Sequence, residues 1–139
     1  MIFYIQEYFK YNHFIISGIL TLLLFFLYFK IKDLSKMLSL IKGLLFFNFV
    51  LFYGYLFYLG QFNYQNHLPL HLCYLTELCI FLSLLFKTEI LYPWLVLNGL
   101  GGGITGFTNS NLPVDSLLIE NIHLHLSHFN LLFFSMIAY

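Results

Sequence analysis

The chain has 139 residues, of which 60 % are hydrophobic, 22 % aromatic and only 9 % charged. A soluble domain carries about 25 % charged residues, so this chain has too few to cover a surface in contact with water. Its formal net charge is zero and its six basic residues are all lysines. No basic patch is dense enough to hold phosphates, which excludes nucleic acid as a partner. The composition therefore predicts an integral membrane protein whose partners are membrane lipids.

Five hydrophobic segments follow one another along the chain, separated by polar connections. They cover residues 14–29, 37–60, 68–86, 90–107 and 116–139. Each is close to the roughly 20 apolar residues that a helix needs to cross a bilayer. The pattern predicts an all-α polytopic transmembrane helix bundle with five spans, forming one domain over residues 1–139.

The lysines indicate how this bundle is oriented. The first connection carries Lys30, Lys32 and Lys36, and the third carries Lys87, whereas the second and fourth carry none. Cytoplasmic connections of membrane proteins are enriched in lysine and arginine. The first and third connections are therefore predicted to lie in the cytoplasm, with the N-terminus outside.

Polar residues gather in the outer half of three predicted spans. At a rise of 1.5 Å per residue, Cys73 lies about 8 Å inward from Leu68, and His123 and His128 lie about 10 and 18 Å into the fifth segment. The fourth segment leaves the membrane through the glycine-rich stretch 98–103. Unpaired polar groups in hydrocarbon are costly, so such residues normally face a bundle interior or a wet cavity.

Helical periodicity assigns faces to the third and fifth segments. Cys73 and Glu77 share one face of the third segment at i, i+4 spacing, so a carboxylate lies one turn from the thiol. On the fifth segment Ile122, Leu126 and Phe129 fall on one arc that is predicted to face lipid, and the remaining arc is polar. The polar arc is predicted to face the interior of the bundle.

Plainer interpretations exist for the cysteine and for the glycines. A cysteine in a membrane helix usually packs as a small hydrophobic residue, and a reactive one needs an electropositive, partly exposed environment. The glycines at 101–103 allow close helix packing, or they mark a broken helix whose free amide groups face a cavity. The sequence leaves both alternatives open.

Three motifs together resemble a known family. They are LPLHLC at the start of the third segment, the glycine-rich fourth segment, and LSHFN in the fifth. The combination resembles the YwaF-like integral membrane proteins over residues 68 to about 130. That family includes bacterial members of unassigned function and an animal transmembrane acyltransferase that acts on ether phospholipids. Its members have six or seven spans, so the resemblance implies that this chain is truncated. It also implies location in a bacterial cell membrane.

The resemblance assigns roles to two residues and leads to the first functional hypothesis. Cys73 matches the nucleophile position of the family and His128 matches its histidine. The hypothesis is acyl transfer or ester hydrolysis on a membrane lipid without a cofactor, in which Cys73 attacks the acyl carbonyl and His128 is the general base. Asn98 or the amides near Gly102 and Gly103 are expected to stabilise the oxyanion, and Glu120 or Asn121 to orient a histidine. The further supporting candidates are His71, Glu77, His123 and His125.

Two further hypotheses remain open. The imidazoles and carboxylates are numerous enough to hold zinc or non-haem iron in a histidine-rich membrane enzyme. The residues concerned are His67, His71, His123, His125, His128, Glu77 and Glu120. A non-enzymatic transporter or lipid-binding bundle is the third possibility, because broken helices and buried carboxylates mark such sites. Convergence of three or more histidines would favour a metal, and a histidine of the fifth segment within hydrogen-bond reach of Cys73 in a pocket would favour acyl chemistry.

Overall fold

The computed structural model describes residues 12–67, 71–109 and 116–138. These residues form five long helices and one short helix and contain no strand, as the predicted all-α class requires. The helices are α1 (His13–Lys30), α2 (Leu34–Tyr58), α3 (Tyr64–His67), α4 (Leu72–Phe86), α5 (Tyr92–Thr108) and α6 (Leu118–Ala138). Each predicted segment contains one long helix. Residues 68–70, with which the third predicted segment begins, and 110–115 in the fourth connection lie outside the described residues.

Among the described helices, only α1 and α2 are both long enough and apolar enough to cross a membrane. Helix α4 has 15 residues and α5 has 17, fewer than the roughly 20 that a bilayer core requires. Helix α6 has 21 residues, but a glutamate, two asparagines and three histidines lie along it. The structure therefore supports two spanning helices by length and composition, which is less than the five that the sequence predicts.

Local signals in the sequence explain where α2 begins and ends. The Asp33 carboxylate accepts hydrogen bonds from the backbone N–H groups of Ser35 (3.0 Å) and Lys36 (3.3 Å). At the other end Gly60 has a φ of +63°, and the N–H of the following Gln61 donates to the Leu56 carbonyl at 3.0 Å. This arrangement is a Schellman motif, in which glycine adopts the left-handed conformation without strain.

Replacing Asp33 with alanine is expected to lower the free energy of unfolding by about 1 kcal/mol, because two N–H groups of α2 lose their cap. Equilibrium unfolding in mixed micelles measures the change. Lys36→Gln is the control, since its 3.8 Å contact with Asp33 is exposed and contributes about 0.5 kcal/mol or less. Equal losses in the two variants would contradict a capping role for Asp33.

Helix α6 lies at the centre of the bundle. It packs against α1, α2, α4 and α5, and Leu131 and Phe133 are completely buried. The prediction that Phe129 faces lipid is wrong, because its side chain is only 4 % exposed. Ile122 and Leu126, which were predicted to share that lipid face, are half-buried. The surrounding helices cover the apolar arc of α6 as well as its polar arc.

Helix α1 has the opposite character and presents large apolar side chains outward, including Phe14, Leu22 and Phe29, each about 70 % exposed. Its C-terminus lies near the N-terminus of α2 and the C-terminus of α6, where all three line one cavity. The C-terminus of α4 and the N-terminus of α5 meet the start of α2 at a second cavity. We call this the lysine-rich end of the bundle, because five lysines lie in or beside these helix ends: Lys30, Lys32, Lys36, Lys42 and Lys87.

Candidate functional site

Helix α5 brings Cys73 and His128 to one of its faces. A Cβ atom added at Gly102 would lie 3.0 Å from the Cys73 Sγ, and one added at Gly106 would overlap the imidazole ring of His128. Gly102 and Gly106 are four residues apart, so they share a helix face and are separated by about 6 Å along the axis. The thiol from α4 and the imidazole from α6 therefore rest on the same face of α5, one turn apart.

The hydrogen bonding of His128 fixes which ring nitrogen is available. Its Nδ1 lies 2.6 Å from the Leu124 carbonyl oxygen, which can only accept, so Nδ1 carries the proton. In the neutral ring Nε2 is then left as a proton acceptor. No hydrogen bond joins the Cys73 thiol to the His128 imidazole, although the structure describes both residues. The two side chains pack against glycines one turn apart on α5 and are not hydrogen-bonded to each other.

Cys73 is the second residue of α4 and is a free, half-buried thiol. The first amide N–H groups of a helix have no partner within the helix, and they favour anions. His71 occupies the N-cap position without making a side-chain capping bond. It is exposed, and its ring packs edge-on against Tyr74. The thiol therefore lies in the first turn of a helix whose N-cap residue, His71, makes no side-chain capping bond.

A polar network joins α2, α4 and α6 in the interior. Glu77 is completely buried and accepts hydrogen bonds from Asn48 Nδ2 (2.9 Å), Ser127 Oγ (2.6 Å) and Asn130 Nδ2 (3.3 Å). Asn48 also donates to Ser127 Oγ at 3.0 Å, and its Oδ1 accepts from His123 Nδ1 at 3.1 Å. We call these five residues the Glu77 network. These bonds give both Glu77 oxygens partners, whereas the buried Oδ1 of Asn130 has none.

The other histidines of α6 point to different helices. His123 stacks on Phe52 of α2, with ring centroids 3.8 Å apart and planes 7° apart. His125 places Nε2 3.1 Å from Nδ1 of His13 in α1, while its Nδ1 lies 2.8 Å from the Asn121 carbonyl. Together with His128 on α5, the HLHLSH cluster thus contacts three separate helices. These side chains hold α6 in place from three directions.

Glu120 and Asn121 stabilise the beginning of α6. Glu120 accepts a hydrogen bond from the Leu117 N–H at 2.5 Å, and its other oxygen lies 3.4 Å from Nε2 of His67. The Asn121 side chain donates to Ser116 Oγ at 3.0 Å. Each residue lies against a histidine other than His128: Glu120 against His67, and the Asn121 carbonyl oxygen 2.8 Å from Nδ1 of His125.

The donors predicted for the oxyanion are engaged elsewhere. Helix α5 is continuous, so the broken-helix interpretation is wrong and the amides of Gly102 and Gly103 lie within the helix. Close packing is the correct alternative, because side chains at Gly99 and Gly103 would collide with α6. Asn98 donates to the Trp94 carbonyl of its own helix at 2.9 Å. The Gly102 and Gly103 amides are thus part of the helix, and one of the two amide hydrogens of Asn98 is engaged within α5.

Sequence reasoning missed two residues that the structure places beside those it predicted. Asn48 is 1 % exposed and connects Glu77 to His123, and His13 contacts His125. The signal for Asn48 was a single amide in the middle of the apolar stretch LLFFNFVLF. A lone polar side chain inside a predicted span indicates a partner on another helix.

The hypothesis of a metal centre depends on convergence of the histidines, and they do not converge. Within residues 12–67, 71–109 and 116–138, no group of three or more histidine, cysteine, aspartate or glutamate side chains is placed to hold a metal ion. The reason is the divergence of His123, His125 and His128 toward different helices.

An all-helical fold in which two helices are apolar and of span length is compatible with a membrane protein. A family model agrees: the TMEM164 family matches residues 8–139. The chain therefore belongs to the TMEM164 family, a family of transmembrane proteins. No curated protein and no solved structure matches it significantly.

This match supports location in a membrane, and it confirms in part the family resemblance carried by the LPLHLC motif. The matching model is that of TMEM164 and not specifically of the YwaF-like proteins. The match does not support a bacterial origin or the placement of the N-terminus outside. Both stay predictions.

Proposed function

We propose that the chain is a lipid acyltransferase or lipid ester hydrolase in which Cys73 is the nucleophile and His128 the general base. The proposal is carried by one face of α5, where the Cys73 thiol packs against Gly102 and the His128 imidazole packs against Gly106. The i, i+4 spacing of these glycines thus brings together a thiol and an imidazole, the two groups that thiol chemistry requires.

The reaction proceeds in two steps. Nε2 of His128 accepts the thiol proton, the Cys73 sulfur forms a bond to the acyl carbonyl carbon, and the ester C–O bond breaks. The departing alkoxide takes the proton from His128, which leaves a thioester on Cys73. In the second step water or a lipid hydroxyl loses a proton to His128 and its oxygen forms a bond to the thioester carbonyl carbon. The C–S bond breaks, a fatty acid or a new ester is released, and His128 returns the proton to the Cys73 sulfur.

The separation of the two side chains is compatible with this role. Proton transfer operates over hydrogen-bond distance or through one water, and catalytic contacts are often longer before substrate binds. The first-turn amides of α4, next to Cys73, are the candidate donors to the oxyanion. They replace Asn98, Gly102 and Gly103, which are engaged within α5.

The proposed setting is a bilayer that all five long helices enter, with phospholipid or fatty acyl esters as substrates. The alternating helices and the lysine-rich end support cytoplasmic placement of that end and an N-terminus outside. Cys73 lies at the opposite end of α4 from Lys87. The ester would therefore be presented from the outer half of the bilayer.

Detection of a thioester on Cys73 tests the proposed function. Purified protein incubated with a short-chain phospholipid is expected to gain one acyl mass that hydroxylamine removes. Cys73→Ala abolishes the adduct, and His128→Ala slows its formation by about 10²–10⁴-fold, as expected for loss of a general base. Cys79→Ala is the matched control because it removes the other free thiol, on a different face of α4. Equal labelling of Cys73→Ala and wild-type protein would eliminate the mechanism.

A further inference from the structure

A cavity of about 480 Å³ lies at the lysine-rich end, between α2 and the junction of α4 with α5. Its charged residues are Lys42, Lys87 and Glu89. Cys73 is the second residue of α4 and Lys87 directly follows its last residue, so about 20 Å of helix separates the two. The cavity is therefore distinct from the region of Cys73 and His128.

The two ammonium groups are the unusual feature of this cavity. Lys42 lies eight residues after the first residue of α2, about 12 Å along the helix, and it is half-buried. Neither of the two ion pairs among the described residues involves Lys42 or Lys87. A cation at such depth is costly unless it faces water or an anion. Both lysines face the same cavity, so their charges add there.

The remaining lining is suited to an amphipathic anion. Leu34, Leu38 and Leu84 form apolar wall, while the hydroxyl-bearing side chains of Ser35 and Ser39 lie beside the lysines. Hydroxyl and ammonium groups donate to phosphate oxygens. An apolar wall beside such donors fits the glycerol and first acyl carbons of a lipid.

We propose that this cavity binds a phosphate-bearing headgroup, with Lys42 and Lys87 contacting the phosphate and the leucines contacting the lipid backbone. Glu89 is exposed and contributes the opposing charge at the same cavity. Two lysines against one glutamate leave a net positive site, and removal of the Glu89 charge strengthens binding. A phosphate monoester, with its higher charge, binds more tightly than a diester.

Calorimetric titration of the full chain in detergent with dihexanoyl phosphatidic acid tests the proposal. Lys42→Gln is expected to weaken binding at least tenfold, and Lys42→Arg is expected to retain it. Lys87→Asn is the second charge-removing variant, because residue 87 has a φ of +53° and asparagine tolerates this conformation. It too is expected to weaken binding at least tenfold, even if Lys42→Gln fails to fold. Glu89→Gln is expected to tighten binding about threefold by removing the opposing charge.

The controls separate a phosphate site from general attraction to lysine. Lys36→Gln removes the same charge from α2 outside the cavity and is expected to change binding less than twofold. Dihexanoylglycerol, which lacks the phosphate, is expected not to bind. If inorganic phosphate binds as tightly as the lipid, the phosphate contacts of the proposal stand and its lipid part is overturned. Binding that is unchanged in Lys87→Asn, or equally weakened in Lys36→Gln, would overturn it entirely.

Discussion

Replacement of Glu77 with alanine is expected to lower the free energy of unfolding by about 3 kcal/mol. The substitution removes the acceptor of three hydrogen bonds, from Asn48, Ser127 and Asn130. A buried donor left without a partner costs about 1–3 kcal/mol. Asn48 keeps its other hydrogen bond, to Ser127. The expected loss is therefore smaller than the sum for three donors left entirely without partners. Equilibrium unfolding in mixed micelles measures the loss.

Two variants show whether the effect comes from the acceptor. Glu77→Gln keeps the volume and one oxygen, and it is expected to lose about 1 kcal/mol because only the bond from Ser127 must rearrange. Glu89→Gln makes the same chemical change on an exposed glutamate, and its effect is expected within about 0.5 kcal/mol. If alanine and glutamine at residue 77 destabilise equally, the hydrogen bonds of the Glu77 network do not stabilise the bundle.

Replacement of Gly106 with alanine is expected to cost about 2 kcal/mol of stability and to slow thioester formation on Cys73. The added Cβ would overlap the imidazole of His128, so the ring must move or α5 must shift away from α6. Overpacking a well-packed contact costs about 1–3 kcal/mol. Unfolding in micelles and the rate of acylation are measured on the same preparation.

Gly101→Ala is the matched control for this substitution. A Cβ at Gly101 would have no neighbour within 4 Å, and alanine is favoured over glycine in a helix by about 0.5–1 kcal/mol. Its stability is therefore expected to stay equal or to rise, with an unchanged acylation rate. A Gly106→Ala protein as stable and as fast as Gly101→Ala would show that the His128 ring does not depend on the space at Gly106.

Much of the helical architecture could be predicted from hydrophobicity. Residues 14–29 predict α1 almost to its ends, and Asp33 and Gly60 mark the limits of α2. The position of α6 could not be predicted in this way. Periodicity separates an apolar arc containing Phe129 from a polar arc, but it does not reveal how many neighbours the helix has. Four helices surround α6, so both arcs are buried.

The site shows the same limit. The sequence singles out Cys73 and His128, whose chemistry stays a prediction, but not the face of α5 on which they rest. The glycines were equally consistent with a broken helix and with close packing, because small residues serve both. The continuity of α5 and the close approach of α6 at Gly99 and Gly103 decide between these alternatives. Asn48 was missed because a single amide in an apolar stretch does not identify its partner.

The central position of α6 has a consequence for the order in which the bundle assembles. Helix α6 is the last of the described helices to be synthesised, and its own composition does not meet the criterion for a spanning helix. The helices made before it provide the groups that its polar side chains require, above all Asn48 and Glu77. Before α6 is made, Glu77 lacks its donors Ser127 and Asn130, and Asn48 lacks its partner His123. The contacts of α6 with α1, α2, α4 and α5 therefore complete the packing of the helices made before it.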